Sequence, residues 1–248
     1  MIIVGDIGNT ETKICLVDSK NKIVKRIILN TKKINFSTLK KSLYNLNLKN
    51  KIIDKCLFCS VVPKSFKEIK RFFNQNYKLK CYELKTLKLN RLIKIKVNYK
   101  QIGSDRLANA IDATNNKDNF IILDFGTATT FDVLIKKTYL GGVIAPGVKL
   151  SLNTLTNKAT LIPNINLKKT NKVIGLNTIN AVRAGFFWGY VGLIDNIVNL
   201  IKKETKKSFK IIITGGFSNL FKNSIKTKVA LNKDITINGL IKASSLIK

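Results

Sequence analysis

Eight residues near the amino terminus bring together side chains that suit a polyphosphate. The segment combines a carboxylate, a glycine, an amide, hydroxyls and an ammonium, in the order Asp6, Ile7, Gly8, Asn9, Thr10, Glu11, Thr12 and Lys13. Apolar runs on both sides predict a β-hairpin with this segment at its turn. Backbone amides and Lys13 would face phosphate oxygens, while Asp6 would face a bound cation or its water. Taken alone, the segment is also compatible with an ordinary Asn/Gly hairpin.

The same layout recurs about half a chain later, which favours the phosphate interpretation. An apolar strand is followed by Asp124, Phe125, Gly126 and then hydroxyl residues from Thr127 onwards. Two equivalent strand–turn–strand units indicate a duplicated domain, with a cleft between the halves. A polar stretch at 115–119 sets the expected boundary, so we predict halves at 1–115 and 116–248.

The amino-acid composition limits the substrates and the catalytic groups that this chain can use. The 248 residues include 45 Lys+Arg against 14 Asp+Glu, a formal net charge of +31. The lysines are spread along the chain and only five basic residues are Arg, so a dedicated nucleic-acid site is not expected, whereas anionic substrates are favoured. There is no His, which excludes Ser-His and Cys-His nucleophilic pairs and His metal ligands. A proton acceptor must be a carboxylate, Lys, Tyr or water.

The four cysteines predict no disulfide framework. Cys56-x-x-Cys59 has the spacing of half a zinc or redox motif, but it has neither a second pair nor a His partner, so we interpret it as filling of a buried strand. Free thiols suit a reducing cytoplasm. The apolar run before Asp6 is too short for a signal peptide, and uncharged runs stay below about 18 residues, so no membrane span is expected.

Hydrophobic periodicity predicts alternating strands and helices. Strands are expected at 23–29, 55–62, 79–84, 92–97 and 211–216, and helices at 37–49, 65–76, from 103 onwards, at 178–203 and at 238–247. Gly185, Gly189 and Gly192 follow one stripe of the longest helix. Because Gly costs about 1 kcal/mol per helical site relative to Ala, we expect another helix to pack there, from the same chain or from a second subunit.

Five blocks, taken in order, resemble one known family. The blocks are Asp6-x-Gly8-Asn9-Thr10, Gly103-x-Asp105-Arg106, Asp124-x-Gly126-Thr127, Gly141-Gly142 through Pro146-Gly147, and Asn177-Thr178 followed by Ala181 and Gly185. Together they resemble type III pantothenate kinase, of the acetate kinase/sugar kinase/Hsp70/actin superfamily. Residues 60–63 and 159–163 are also similar to that family, so the resemblance covers nearly the whole chain.

The resemblance implies an α/β fold of duplicated ribonuclease H-like (actin-like ATPase) domains with a central cleft. It also implies a cytoplasmic homodimer that phosphorylates pantothenate with ATP and Mg²⁺, the first step of coenzyme A synthesis, and that needs a monovalent cation, potassium or ammonium. By position, the family's ATP-binding residues correspond to Asp6, Gly8, Asn9, Thr10, Glu11, Thr12, Lys13 and Thr127. Its substrate-binding residues correspond to Tyr99, Gly103, Ser104, Asp105, Arg106 and Thr178. Asp124 would hold the monovalent cation, and Asp105 would be the catalytic proton acceptor.

One segment departs from the family pattern. The family carries Asn-Pro before the Gly-x-Asp-Arg block, with a substrate-contacting Tyr a few residues earlier. Here residues 96–102 read Lys-Val-Asn-Tyr-Lys-Gln-Ile, without the Pro, and Tyr99 lies closer to Gly103. The assignment of Tyr99 to the substrate site therefore depends on this changed spacing.

The residues also suit phosphoryl transfer on chemical grounds. Its transition state is loose, so the protein mainly positions groups and offsets charge. Asp105 can orient an alcohol and accept its proton late, and Arg106 can pair with a substrate carboxylate. A helix-opening pair of Asp105 and Arg106 is the structural alternative. Two other functions remain open: a regulator of this fold that binds nucleic acid through the +31 charge, and another small-molecule kinase of the superfamily.

Overall fold

A computed structural model describes residues 1–44, 46, 48 and 51–247 of the chain. The described residues form two compact units. The first unit contains residues 1–114, 137–139 and 234–248, and the second contains 115–136 and 140–233. The predicted division at 115/116 stays a prediction, and the contacts group the carboxyl-terminal segment with the first unit.

The first unit is built on a five-stranded sheet with the order β3-β2-β1-β4-β5. Its strands are β1 (Ile2–Ile7), β2 (Glu11–Val17), β3 (Ile23–Asn30), β4 (Lys55–Ser60) and β5 (Cys81–Glu83). Its helices are α1 (Phe36–Tyr44), α2 (Pro63–Tyr77), α3 (Ser104–Ala113) and α7 (Ile235–Ala243). A short strand, β6 (Lys94–Ile95), pairs with Thr138 and Tyr139.

The elements of the first unit form where local sequence and burial agree. Strand β1 is flanked by antiparallel β2 and parallel β4, and its Ile3 and Ile7 are fully buried. Pro63 stands at the start of α2, where its missing N–H costs nothing, and Ile69, Phe72 and Phe73 face the core. Helix α7 packs so closely on α3 that a Cβ on Gly239 would collide with the carbonyl oxygen of Ala108.

The second unit repeats the plan of the first. It contains β7 (Asn119–Phe125), β8 (Ala128–Ile135), most of β9 (Thr138–Pro146), β10 (Lys210–Gly215) and β11 (Val229–Leu231). Its helices are α4 (Val148–Lys158), α5 (Thr178–Thr205) and α6 (Ser218–Phe221). The order β9-β8-β7-β10-β11 matches β3-β2-β1-β4-β5, with the same antiparallel hairpin and the same parallel neighbours. The predicted duplicated fold is confirmed.

Helix α5 carries the second core and also an uncovered stripe. Phe187, Ile194 and Val198 are fully buried. Gly185 and Gly189, like Gly192 further along, are exposed, and a Cβ there would meet no atom within 4 Å. The expected packing of another helix from the same chain is therefore wrong for the described residues, and packing by a second subunit stays a prediction. By length and composition α5 could also cross a membrane, but core helices meet the same test.

Several predicted boundaries differ from the structure. Both polar hairpins are confirmed. The strands predicted at 79–84 and 92–97 are shorter in the structure, as β5 and β6, and 3₁₀ turns lie between and after them at Leu84–Thr86, Leu89–Arg91 and Tyr99–Gln101. The carboxyl-terminal helix begins earlier than predicted, at Ile235, and becomes a 3₁₀ turn after Ala243. The predicted helix at 37–49 is observed as α1, and positions 45, 47, 49 and 50 lie outside the described residues.

Candidate active site

The first polar hairpin presents an open turn at the end of two buried strands. Asp6 pairs with Lys13 across the ladder, and the Gly8 N–H donates to the Glu11 carbonyl at 3.0 Å. Asn9, Thr10 and Glu11 are exposed. Thr12 differs from these residues: it is fully buried, and its hydroxyl lies 2.9 Å from that of Thr31. The turn can offer backbone amides to a ligand, whereas the Thr12 side chain faces the interior.

A buried thiol joins the hairpin to the next strand. Strand β4 places Cys59 beside Asp6, and the Cys59 thiol donates to the Asp6 carboxylate at 3.4 Å. Burial raises the pKa of Cys59 well above its usual value, and the nearby carboxylates of Asp6, Asp105 and Glu83 add to that increase. All three carboxylates therefore act electrostatically on one thiol, and only that of Asp6 accepts its hydrogen bond. The predicted phosphate-site Asp6 and the predicted proton acceptor Asp105 share this environment within the first unit.

The two cysteines of the Cys-x-x-Cys segment have separate surroundings. Side chains alternate along a strand, so Cys56 and Cys59 face opposite sides of β4. Cys56 packs in the core, and its sulfur lies 2.8 Å from that of Cys81. The interpretation as strand filling describes Cys56 well. The sequence does not predict the contact of Cys59 with Asp6, because this contact depends on the parallel pairing of β4 with β1.

Helix α3 begins at the block that carries Asp105. Gly103 is its N-cap residue, and Ser104 is the first helical residue. The Asp105 carboxylate accepts the backbone N–H of Arg106 at 2.8 Å. A Cβ on Gly103 would lie 2.5 Å from Oδ1 of Asp105, so a glycine leaves the room that this carboxylate occupies. Asp105 and Arg106 are both half-buried.

A hydrogen-bond network that the sequence does not predict supports the loop that precedes α3. Glu83 accepts the Ser104 hydroxyl with one carboxylate oxygen and the Lys85 backbone N–H, at 2.7 Å, with the other. The Lys85 ammonium donates to the carbonyls of Lys100 and Ile102, at 3.1 and 2.9 Å. No motif marks Glu83 or Lys85, since their side-chain partners in the loop and in α3 lie 15 to 21 residues further along the chain.

Tyr99 belongs to the same network. Its hydroxyl donates to the Lys85 carbonyl at 2.9 Å, and the Lys85 ammonium lies 5.2 Å from the centre of its ring. Burial, with a smaller contribution from Glu83, raises the pKa of Tyr99, so the phenol stays neutral. Tyr99 thus helps to build the loop, and its contact with substrate stays a prediction.

The second polar hairpin has the same shape in the second unit. Asp124 pairs with Thr130 across the ladder, Thr127 is exposed in the turn, and a Cβ on Gly147 would collide with the Thr127 carbonyl. Strand β10 ends beside Asp124 at Gly215, whose φ is +84°. A Cβ on Gly215 would lie 2.6 Å from Oδ1 of Asp124. The half-buried Asp124 carboxylate therefore lies against bare backbone.

Thr178 is the first residue of α5 and is exposed. Asn177 caps this helix by accepting the Asn180 N–H at 2.9 Å. Thr178 belongs to the second unit with Asp124 and Thr127, whereas the other predicted site residues belong to the first.

Two matched α/β units, each with an acidic hairpin beside a parallel strand, define the class of actin-like kinases and ATPases. Solved structures agree: the ROK family glucokinase of Streptomyces griseus, in complex with glucose and AMPPNP, has a TM-score of 0.56 at 12% identity, covering 99% of this chain and 98% of that one. Likeness at this identity shows the fold alone.

The particular family follows from sequence comparison. The model of type III pantothenate kinase matches residues 2–200, and the chain belongs to that family. It is 82% identical to the type III pantothenate kinase of Pelagibacter ubique (strain HTCC1062), over all of both chains. It is 33% identical to that of Sulfurihydrogenibium sp. (strain YO3AOP1), covering 97% of this chain and 98% of the relative.

A further solved structure bears on the regulatory alternative. A Campylobacter jejuni protein, titled as a Baf family transcriptional activator, has a TM-score of 0.61 and covers 97% of this chain and 96% of its own. Its sequence is 20% identical to this one, so this similarity again shows the fold alone and does not indicate a regulatory function for this chain.

Proposed function

We propose that this protein transfers the γ-phosphoryl group of ATP to the alcohol of pantothenate, giving 4′-phosphopantothenate in the first step of coenzyme A synthesis. Membership of the pantothenate kinase family supports the reaction. The observation that supports the residue assignment is the first hairpin: the Asp6 carboxylate accepts the Cys59 thiol at 3.4 Å, the turn after Asp6 is exposed, and the Asp105 carboxylate also raises the pKa of that thiol.

The roles follow from the chemistry of a loose transition state, in which positioning and charge matter more than covalent help. In the first unit the turn amides and Lys13 hold the phosphates, and Thr127 is the ATP-binding residue proposed in the second unit. Asp105 orients the attacking hydroxyl and takes its proton late, because a carboxylate is too weak a base to ionise an alcohol beforehand. Arg106 pairs with the substrate carboxylate, and Gly103, Ser104, Tyr99 and Thr178 line its site.

Asp124 suits a monovalent cation. Its carboxylate is half-buried, and the absence of a side chain at Gly215 leaves space beside Oδ1 that a Cβ would fill. Potassium or ammonium bound there would be held by that carboxylate and would offset charge near the phosphates. Mg²⁺ arrives with ATP, and Asp6 would face it or its water.

The working enzyme is a cytoplasmic homodimer under this proposal. Large apolar side chains in the second unit are exposed, including Leu161 at 91% and Leu176 at 87%. The bare glycines of α5 belong to the same unit. Exposed apolar surface of this kind marks protein contacts, and a second copy of the chain would cover it.

The experiment is a coupled assay of ADP formation with and without pantothenate, in potassium and in sodium buffers. We expect ADP formation that needs both pantothenate and potassium. Asp105→Asn should lower turnover by about 10²–10⁴-fold, because the proton acceptor is lost while the shape of the side chain is kept.

Asp18→Asn is the matched control, since Asp18 accepts two backbone N–H groups in the β2–β3 turn, at 2.9 Å each, and an amide oxygen can do the same. Circular dichroism should show that the wild-type protein and both variants are folded. Full turnover by Asp105→Asn would refute the assignment of Asp105, and ADP formation that ignores pantothenate would refute the proposed substrate.

A further inference from the structure

Thr31 contacts the proposed phosphate-binding turn from outside the first hairpin. It follows β3 directly, is only 3% exposed, and meets the first hairpin at three points. Its hydroxyl donates to the Gly8 carbonyl at 2.7 Å, and its backbone N–H donates to the Thr10 carbonyl at 3.0 Å. The third contact is the 2.9 Å approach of the Thr12 hydroxyl.

The direction of the Thr12 contact follows from counting protons. A threonine hydroxyl has one proton and two lone pairs. Thr31 gives its proton to Gly8, so it must accept the proton of Thr12. The result is two hydrogen bonds in series, in which Thr12 donates to Thr31 and Thr31 donates to the Gly8 carbonyl. Both hydroxyl protons are used inside the protein.

The Thr31 hydroxyl and the Thr31 backbone N–H together fix two peptide planes of the turn, through the Gly8 and Thr10 carbonyls. In a trans peptide the carbonyl and the following N–H point in opposite directions. The peptide bonds described contain no cis form. Because the Gly8 and Thr10 carbonyls point at Thr31, the N–H groups of Asn9 and Glu11 must point away from it. Asn9 and Glu11 are exposed, and the turn contains only small or polar side chains that would not hold these planes by packing.

We propose that Thr31 is a positioning residue for the nucleotide. By tying down two carbonyls of the turn, it aims the amides of Asn9 and Glu11 at the phosphate oxygens of a nucleoside triphosphate. Thr12, whose side chain is buried, acts through Thr31 and not by touching the nucleotide with its hydroxyl. This role rests on the proposed kinase function, and it concerns ATP and not the alcohol substrate.

The test separates nucleotide binding from the rest of the reaction. Thr31→Val keeps the shape of the side chain and removes the hydroxyl. We expect it to raise KM for ATP about tenfold, with KM for pantothenate within about twofold of wild type. Thr31→Ser keeps the hydroxyl and should stay within about threefold of wild type for ATP. Calorimetry with a non-hydrolysable ATP analogue should show the same order of affinities.

Thr205→Val is the matched control, because the Thr205 hydroxyl also donates to a carbonyl at 2.7 Å, that of Ile201 near the end of α5. Both KM values should be unchanged in this variant. A purely structural role of Thr31 would reduce the fraction of active protein and lower kcat, but it would leave both KM values at wild type.

An unchanged KM for ATP in folded Thr31→Val overturns the inference. If that variant does not fold, Thr12→Val tests the inference in its place, since it removes the hydrogen bond from Thr12 to Thr31 and keeps the one from Thr31 to Gly8. We expect about a threefold rise in KM for ATP, and no rise overturns the inference. Wild-type protein that binds the analogue but does not phosphorylate pantothenate would refute the proposed function, and the calorimetric comparison would still test Thr31.

Discussion

Gly215 holds a backbone conformation that other residues avoid, directly beside the carboxylate of Asp124. Its φ is +84°, and a Cβ there would lie 2.6 Å from Asp124 Oδ1 and from the backbone of Phe125. The next residue, Gly216, has open space around the same hypothetical atom. The two adjacent glycines therefore offer a direct comparison between a required glycine and a tolerant one.

Gly215→Ala should disturb the proposed cation site through Asp124. We expect a loss of about 1–3 kcal/mol in the free energy of unfolding, and about a tenfold higher potassium concentration for half-maximal activity. Thermal unfolding and a potassium titration of turnover measure the two effects. Gly216→Ala should leave both within error. Equal behaviour of the two variants would contradict a role for Gly215 in placing Asp124.

At the scale of elements, the loop before α3 depends on a lysine outside the recognised motifs. The Lys85 ammonium binds two carbonyls of that loop, and its backbone carbonyl accepts the Tyr99 hydroxyl. The loop leads directly into Gly103 and Asp105. Lys85 therefore connects the segment after β5 to the substrate side of the proposed site.

Lys85→Met keeps the aliphatic stem and removes the charge. We expect KM for pantothenate to rise about 3–10-fold with little change in KM for ATP, because hydrogen bonds to charged groups contribute about 1.5–3 kcal/mol before solvent weakens them. Lys88→Met, at an exposed site nearby, should behave as wild type. A change in KM for ATP but not for pantothenate would contradict this role.

The parts of the site that sequence predicts are those carried by local pattern. The hairpins with Asp6 and Asp124 could be predicted because polar residues interrupt two apolar runs within a few positions. Cys59, Glu83 and Thr31 could not, because each acts on a residue that only the folded sheet brings near it. Thr31 is one hydroxyl in a polar stretch, and no spacing distinguishes it from its neighbours.

The same contrast holds for the elements. The predicted strands leave out the motif block around Pro146, yet this block contains the end of β9, and α4 follows at Val148. Helix α7 comes near the end of the chain, far from α3 in sequence, yet Gly239 packs it on Ala108 of α3 in the first unit. Neither the register nor the grouping of distant segments is encoded in hydrophobic periodicity.

At the scale of the whole molecule, the net charge of +31 is too diffuse to define a function. The ion pairs at Asp112, Asp118 and Asp234 involve partly exposed groups, and such pairs contribute little to stability. A positive surface favours encounter with ATP as it would with nucleic acid. Family membership, and not charge, decides between the two readings in favour of the kinase.

The uncovered stripe on α5 gives the prediction that belongs to this scale. Gly189 lies exposed between Gly185 and Gly192, with no atom near its missing side chain, so Gly189→Glu should not disturb the folded monomer. In a dimer that covers the stripe, the same carboxylate would lose its water without gaining a partner, which costs several kcal/mol. We expect the variant to sediment as a monomer at concentrations where wild type is a dimer.

Gln75→Glu, at an exposed site of α2, adds the same charge and should remain dimeric. Comparing the activity of these two variants then shows whether the second copy is needed for turnover. A wild-type protein that sediments as a monomer at micromolar concentration, or a Gly189→Glu dimer as stable as wild type, would contradict the assignment of this face. In either case the exposed leucines of the second unit would need a different partner, because a single chain leaves them in water.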